Sequence, residues 1–326
     1  MLALKKAVPL MKQNVLVIGG TRFFGKLLVE GLLDAGHAVT LATRGQAPDT
    51  FGTRVRRLWV DRRDAAAMGR AFAAEPGFDL VYDQMCYSPA DAAISAEVFA
   101  SKVGRYVMAS TIEVYSHLHG RVDRPLREDD VDLAHELVDM AYPWHEPDVA
   151  EAAYGRGKRQ AEAFFHQDGR LPVVSVRIGH VLAGPEDFTG RLQNYVQRVR
   201  SRQPLWHAAA AARSSFISAP GIAAFLLWVG QSNLLGPINA AAHGPLSALD
   251  IHLRVAQGLQ LPAEARPVRS AVLPSELSPY DFPSRYEMDT TRAESLGHRF
   301  DHSTDWLHAL VLQHAQALAA APALVA

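Results

Sequence analysis

The sequence predicts an α/β protein, a doubly wound parallel sheet followed by a smaller, less regular carboxyl-terminal region. Three observations predict it. Residues 15–18 (VLVI) are an apolar run rich in β-branched side chains, closed by Gly19 and Gly20, which suits a strand buried on both faces. Residues 26–33 (KLLVEGLL) follow with apolar side chains at helical spacing. Strand-like and helix-like stretches then alternate through the first half of the chain, as a doubly wound parallel sheet requires.

Gly36 ends the first helix, and residues 37–42 (HAVTLA) read as the second strand. Residues 57–60 (RLWV) are the third strand, 65–74 a helix, 78–83 (FDLVYD) the fourth strand, 90–102 a helix and 105–109 (RYVMA) the fifth strand. Gln84, Met85, Cys86 and Tyr87 fall at the carboxyl end of the fourth strand, where ligands gather in open α/β sheets. Residues 123–151 break the rhythm. They are acidic and hold Pro125, Pro143, Trp144 and Pro147. They read as a long excursion over the sheet with a short helix at 133–140, of the kind that serves as a lid or stays disordered. Helical spacing resumes over 150–166, and 172–177 (PVVSVR) is the sixth strand. Further on, helices are expected at 191–202, 221–229, 246–258 and 304–318, with strands at 215–218 and 237–241. Residues 261–285 are proline-rich and irregular, and the last eight residues read as frayed.

Strand, glycine turn, helix is the setting in which a glycine motif means dinucleotide binding. Glycine lets the backbone approach a pyrophosphate, and the free N–H groups of the helix start point at it. The candidate cofactor residues are therefore Gly19, Gly20, Thr21, Arg22, Phe23, Phe24 and Gly25. Arg22 departs from G-x-x-G-x-x-G by placing a long cation where backbone normally crowds the phosphates. It either adds a charge-assisted phosphate contact, the favoured reading, or folds outward. After the second strand comes Thr43-Arg44-Gly45, with no acid for the 2′-hydroxyl of NAD. Arg44 offers a cation for a 2′-phosphate, so NADP is the expected cofactor, with NAD possible. Asp61, at the end of the third strand, is placed to face the adenine amino group.

Composition limits the partners. The chain has 326 residues, 33 Lys plus Arg and 34 Asp plus Glu, a balance that gives no global attraction to nucleic acid or anionic membrane. No run approaches the roughly 20 apolar residues of a membrane span. The single cysteine, Cys86, cannot form an intrachain disulfide, and a cytoplasmic location is expected. Residues 1–13 (MLALKKAVPLMKQ) lack the apolar stretch of a signal peptide and read as a leader. There is no HExxH and no CxxC, and His117 and His119 read as a solvated loop, so no metal site is expected.

A second constellation is Tyr154-Gly155-Arg156-Gly157-Lys158. Helix positions i and i+4 share a face. A lysine there is expected to lower the phenol pKa from about 10, making Tyr154 a general acid or base near neutral pH. Taken with GGTRFFG and ASTIEVY, this YGRGK segment resembles the extended short-chain dehydrogenases/reductases, which include sugar-nucleotide epimerases and dehydratases. The resemblance runs from about residue 14 to residue 312. It implies a Rossmann domain over 12–180 with 216–242 returning to it, and a substrate-binding region from 181–215 and 243–320. It also implies Tyr154 as acid/base, Lys158 on the nicotinamide ribose, and Thr111, or its neighbour Ser110, as the hydroxyl that holds the reacting oxygen.

Within the resemblance, Glu113 matches the base of sugar-nucleotide dehydratases, while Ile112 stands where their acid would be and cannot donate a proton. His180 falls where it could face nicotinamide or substrate. Arg213 resembles the nucleotide-phosphate arginine of sugar-nucleotide enzymes, although the aspartate expected later is Gly221. The alanine run 208–212 suggests a different or smaller ligand. The GGTRF form is similar to a subgroup that includes chloroplast stem-loop-binding proteins. An NADP-dependent oxidoreductase is expected first. A sugar-nucleotide epimerase or dehydratase that keeps its cofactor, and a non-catalytic nucleotide-sensing or RNA-associated protein, remain alternatives. The expected partner is a small-molecule substrate, with a homodimer left open and neither membrane nor nucleic acid called for.

Overall fold

In the computed structural model, which describes residues 12–268 and 278–320, the first apolar run becomes β1 (Asn14–Ile18). Its side chains alternate. Val15 and Val17 enter the core on one side of the sheet, Leu16 and Ile18 the core on the other. A strand that is apolar at each of these positions is what a sheet covered on both faces requires. β1 pairs in parallel with β2 (Ala38–Thr43) and β4 (Leu80–Asp83), so that Val15 lies opposite both Val39 and Leu80. With β3 (Arg56–Trp59), β5 (Tyr106–Thr111), β6 (Val173–Ile178) and β10 (Gly236–Ala240) this makes a seven-stranded parallel sheet, order β10-β6-β5-β4-β1-β2-β3. The chain reverses direction across the sheet between β1 and β4, which opens a crevice at their carboxyl ends.

α1 (Phe23–Asp34) and α7 (Ala219–Gly230) cover one face through Leu28, Leu32, Phe225 and Leu226. α2 (Ala65–Phe72), α3 (Pro89–Phe99) and α5 (Tyr154–Asp168) cover the other through Met68, Phe99 and Phe165. A separate apolar cluster joins α6 (Arg191–Arg200), α8 (Ala248–Leu259) and α10 (Ser303–Ala320) around Tyr195, Ile251 and Leu307. β7 (His180–Leu182) pairs with β9 (Phe216–Ser218), and β8 (Leu205–His207) with β11 (Ala265–Pro267). α4 (Pro147–Ala152) and α9 (Thr291–Ser295) are single short turns of helix. No helix among the described residues is long and apolar enough to cross a membrane.

The doubly wound fold is as the sequence predicts, and several local elements differ. Residues 133–140 form turns rather than a helix. The Asp132 carboxylate accepts the backbone N–H groups of Ala134 and His135, at 3.2 and 3.3 Å. A local acceptor of this kind competes with helix formation. The expected helix 150–166 is interrupted at Ala153 (φ −98°, ψ 10°), so Tyr154 begins α5 instead of lying inside a longer helix. α1 starts at Phe23, three residues before its apolar spacing shows. β7, β8 and β11 have three residues each, too few to display a period, and β11 lies within a stretch expected to be irregular. Residues 1–11 of the expected leader, 269–277 of the proline-rich stretch and 321–326 of the frayed end lie outside the described residues.

One buried ion pair fastens α5 to the sheet. Arg177 on β6 and Glu162 on α5 have fully buried side chains, and Arg177 Nη2 donates to Glu162 Oε2 at 2.6 Å. Arg177 Nη1 also donates to the Tyr115 hydroxyl and to the Glu128 carbonyl, each at 2.8 Å. Removing either partner strands a charge away from water. Arg177→Met and Glu162→Leu should each cost about 3–5 kcal/mol. The double variant should cost clearly less than the sum, read by urea denaturation. Strictly additive losses would show that the two side chains do not act as a pair.

Candidate active site

Two adjoining cavities lie at the carboxyl ends of the strands. The first, of about 440 Å³, is lined by Gly19, Gly20, Thr21, Arg22, Phe23, Phe24 and Gly25, and also by Arg44 and Asp61. Each cofactor-binding candidate from the glycine loop and the strand ends is therefore on one wall system. Gly19 (φ 94°) and Gly20 (φ 87°) turn the chain from β1 toward α1 through backbone conformations that side chains disfavour. The first turn of α1 carries no acidic residue to occupy its N–H groups. Arg44 is exposed at the cavity edge with no hydrogen bond or ion pair among the described residues. Asp61 turns one carboxylate oxygen onto the Arg63 N–H at 3.0 Å. Gln84 lines both cavities, and its Nε2 is buried without a partner. Free helix N–H groups, an unspent amide donor and two arginines are a donor set that fits the phosphates of a dinucleotide.

The second cavity, of about 730 Å³, is shared with the first through Phe23, Phe24, Gln84 and Tyr87, and is lined by Thr111, Glu113, Tyr154 and Lys158. The four catalytic candidates are thus brought together. β5 ends on Thr111 and α5 begins on Tyr154. Lys158 is buried, and its Nζ donates to the Ala109 carbonyl at 2.6 Å. The ammonium sits 4.3 Å from the Tyr87 ring centre and 5.9 Å from that of Tyr154. α5 comes this close because position 157 is glycine. A Cβ there would stand 2.4 Å from the Tyr87 carbonyl oxygen.

The electrostatics revise one sequence expectation. Burial raises the Tyr154 pKa above its ordinary value, and the opposing pull of the Thr111 hydroxyl does not cancel it. The ammonium of Lys158 is directed at a carbonyl and does not lower the phenol as the spacing suggested. Burial instead lowers Lys158 itself to about 8. Ser110 lines the same cavity with its hydroxyl donated to Glu162, whereas the Thr111 hydroxyl bonds the phenol.

The remaining candidates are placed as follows. Glu113 Oε2 accepts the Tyr286 hydroxyl at 3.3 Å, and burial raises its pKa. Ile112 is buried in a packed cluster with Tyr115 and Tyr286. His180 lines the cavity, stacks on Phe282 at 5.0 Å and has an unpartnered Nε2; burial first, then Arg191, lowers its pKa to about 3, so it is neutral. Arg213 turns away and pairs with Asp250 at 3.1 Å. Arg191, at the start of α6, lines the cavity in addition, and sequence reasoning gave it no role. Phe188 lines the dinucleotide cavity from a loop with no motif. For Gln84 and Tyr87 the signal existed, in their place after β4.

Residues 15–233 match the NAD dependent epimerase/dehydratase family. The chain belongs to that family. Its members are NAD(P)-dependent enzymes, and the two cavities lie within the matched span together with every catalytic candidate. The chloroplast stem-loop binding protein of 41 kDa b of Arabidopsis thaliana is 36% identical over 85 residues, 22% of either chain. The 2'-dehydrokanamycin reductase of Streptomyces kanamyceticus is 30% identical over 179 residues, 55% of this chain and 46% of that one. The chain thus spans less than half the length of these two relatives. Among solved structures, the UDP-glucose 4-epimerase of Thermus thermophilus in complex with NAD superposes with a TM-score of 0.66 at 19% identity. That superposition covers 93% of this chain and 99% of that one, and it shows the shared fold.

In this family member the buried lysine is the most displaced titrating group of the α5 pair. With 13C-labelled lysine, the Lys158 signal of the protein without dinucleotide should titrate near the expected value of about 8. The reference for an exposed lysine is about 10.4. A midpoint at the exposed value would contradict the burial described here.

Proposed function

We propose that the protein is an NADP-dependent oxidoreductase of the extended short-chain dehydrogenase/reductase type, with Tyr154 handling the proton of a carbonyl or alcohol oxygen. The observation that carries this reading is the convergence of Thr111, Tyr154 and Lys158 on a cavity continuous with the glycine-loop cavity. The nicotinamide, when bound, supplies or takes up the hydride. Tyr154 donates its phenolic proton to the substrate oxygen as that oxygen gains charge, or removes it in the reverse direction. The protonated phenol is the form that donates in the reductive direction. Thr111 holds the reacting oxygen by a hydrogen bond, and Lys158 serves the nicotinamide ribose. A reductase among the relatives supports the same direction.

NADP preference is supported by Arg44, an unpartnered cation at the edge of the dinucleotide cavity. Asp61, on the same cavity, serves the adenine amino group, and Arg22 the pyrophosphate. Residues 12–180 and 216–242 form the dinucleotide domain in this reading, and 181–215 with 243–320 the substrate side. The GGTRF loop supports a place in the subgroup of the chloroplast stem-loop-binding proteins, and the free, buried Cys86 supports a cytoplasmic location.

Two variants test the reading. Tyr154→Phe removes one oxygen at the cavity wall and keeps the ring, so folding should be unaffected. Dinucleotide affinity should persist while turnover falls by about 10²–10⁴. An active variant would make the tyrosine structural. Arg44→Ala should weaken NADP by about tenfold or more through loss of a charge-assisted pair, with little change for NAD. Equal losses for the two dinucleotides in calorimetric titration would remove the 2′-phosphate assignment.

A further inference from the structure

The loop 183–190 reverses the usual rule of burial. Asp187 is 4% exposed, and its neighbour Phe188, a large apolar side chain, is 66% exposed. The turn that presents them is internally bonded. The Asp187 N–H donates to the Gly184 carbonyl at 3.0 Å, the Gly190 N–H to the Asp187 carbonyl at 3.1 Å, and the Thr189 N–H to Asp187 Oδ1 at 2.9 Å. Its base is fixed by Val181 and Ala183, both in the core shared with β1 and α1. Phe188 is therefore held out toward solvent by a structured turn.

It is held over the dinucleotide cavity, where it is part of the lining, opposite the glycine loop. Two residues of that loop reach it. The Phe23 ring meets it edge to face at 5.9 Å and 74°, and the Arg22 guanidinium lies 6.0 Å from its ring centre. Phe23 does so from a left-handed backbone conformation, φ 54°, which a bulky side chain adopts at a cost and which gathers at functional sites. The Arg22 guanidinium has no hydrogen bond or ion pair among the described residues, so its charge is unspent. An aromatic face against a guanidinium leaves the N–H edges of that guanidinium free for an anion.

We propose that Phe188 is a cofactor-binding residue, which with Arg22 and Phe23 closes a clasp across the pyrophosphate of the bound dinucleotide. This rests on the dinucleotide reading of the cavity and adds a contact from the carboxyl half of the chain. Arg22 supplies the charge, and Phe188 fixes where that charge points and walls the phosphates from water. The contacts of Arg22 and Phe188 with the phosphates exist only in the complex, so the clasp acts on the rate of dissociation more than on the rate of association.

Stopped-flow displacement of bound NADPH, followed by its fluorescence, tests this on the whole chain. Phe188→Ala should release NADPH about tenfold faster with association changed little. Phe188→Trp should keep a dissociation rate close to that of the original protein, because an aromatic face is retained. The Tm of both variants without dinucleotide should be unchanged, since the side chain is exposed. A dissociation rate unaltered by Phe188→Ala overturns the clasp and leaves the dinucleotide reading standing. Failure of the original protein to bind NADPH or NADH overturns that reading, and the clasp with it.

Discussion

The arrangement of the site depends on a buried charge pair far from solvent. Arg177 projects from β6 into the space between the sheet and α5, and Glu162 meets it there. Two ions in such a place tolerate little displacement, because attraction and desolvation are both large in a medium of low dielectric. The pair therefore sets where α5 lies, and α5 carries Tyr154 and Lys158. Glu162 also accepts the Ser110 hydroxyl, which ties the residue before Thr111 to the same point. Arg177 further bonds Tyr115 and the Glu128 carbonyl, so the excursion over the sheet is moored by the same guanidinium. One network thus fixes the tyrosine, the lysine and the threonine relative to one another.

A second buried network lies beside the glycine-loop cavity. Arg62, beside Asp61, is paired with Asp83 at the end of β4 and with Asp91 at 3.2 Å in the first turn of α3. Asp91 accepts the Tyr87 N–H at 2.9 Å and meets His145 of the excursion at 3.1 Å. The His145 and Arg62 contacts hold the Asp91 carboxyl down to about 2 against the opposing effect of burial. Tyr87, shared by the two cavities, is positioned by this network, while Tyr154 is positioned by the first. Between them lies Lys158, whose charge is disfavoured by burial and accepted by one carbonyl.

The sheet was legible because its physical cause is local. β1 is apolar at Val15 through Ile18 since both faces are covered, and a glycine turn followed by helical spacing leaves few other folds open. The candidate residues were legible for the same reason: Gly19, Thr111, Tyr154 and Lys158 occur in patterns tied to the ends of elements. What was not legible depends on distant partners. Nothing around Glu162 or Arg177 in the sequence shows that each is buried by the other. Phe188 has no motif, and its place over the cavity follows from a turn closed by Asp187. The expected drop in the Tyr154 pKa failed because spacing along a helix says which face a lysine shares, not which carbonyl it prefers. The expected helix at 133–140 failed because Asp132 offers the chain an alternative to helical bonding.

The central claim is the proposed reading that one dinucleotide spans both cavities, with its adenosine end toward Arg44 and Asp61 and its nicotinamide toward Tyr154. A crystal structure of the complex with NADP and a substrate measures this directly. The expected density places the 2′-phosphate at Arg44. It also brings the nicotinamide C4 and the Tyr154 hydroxyl to one shared point, each within about 3–4 Å of the substrate carbon that bears the reacting oxygen. A dinucleotide bound with its ends reversed, or with the nicotinamide remote from Tyr154, would contradict the claim.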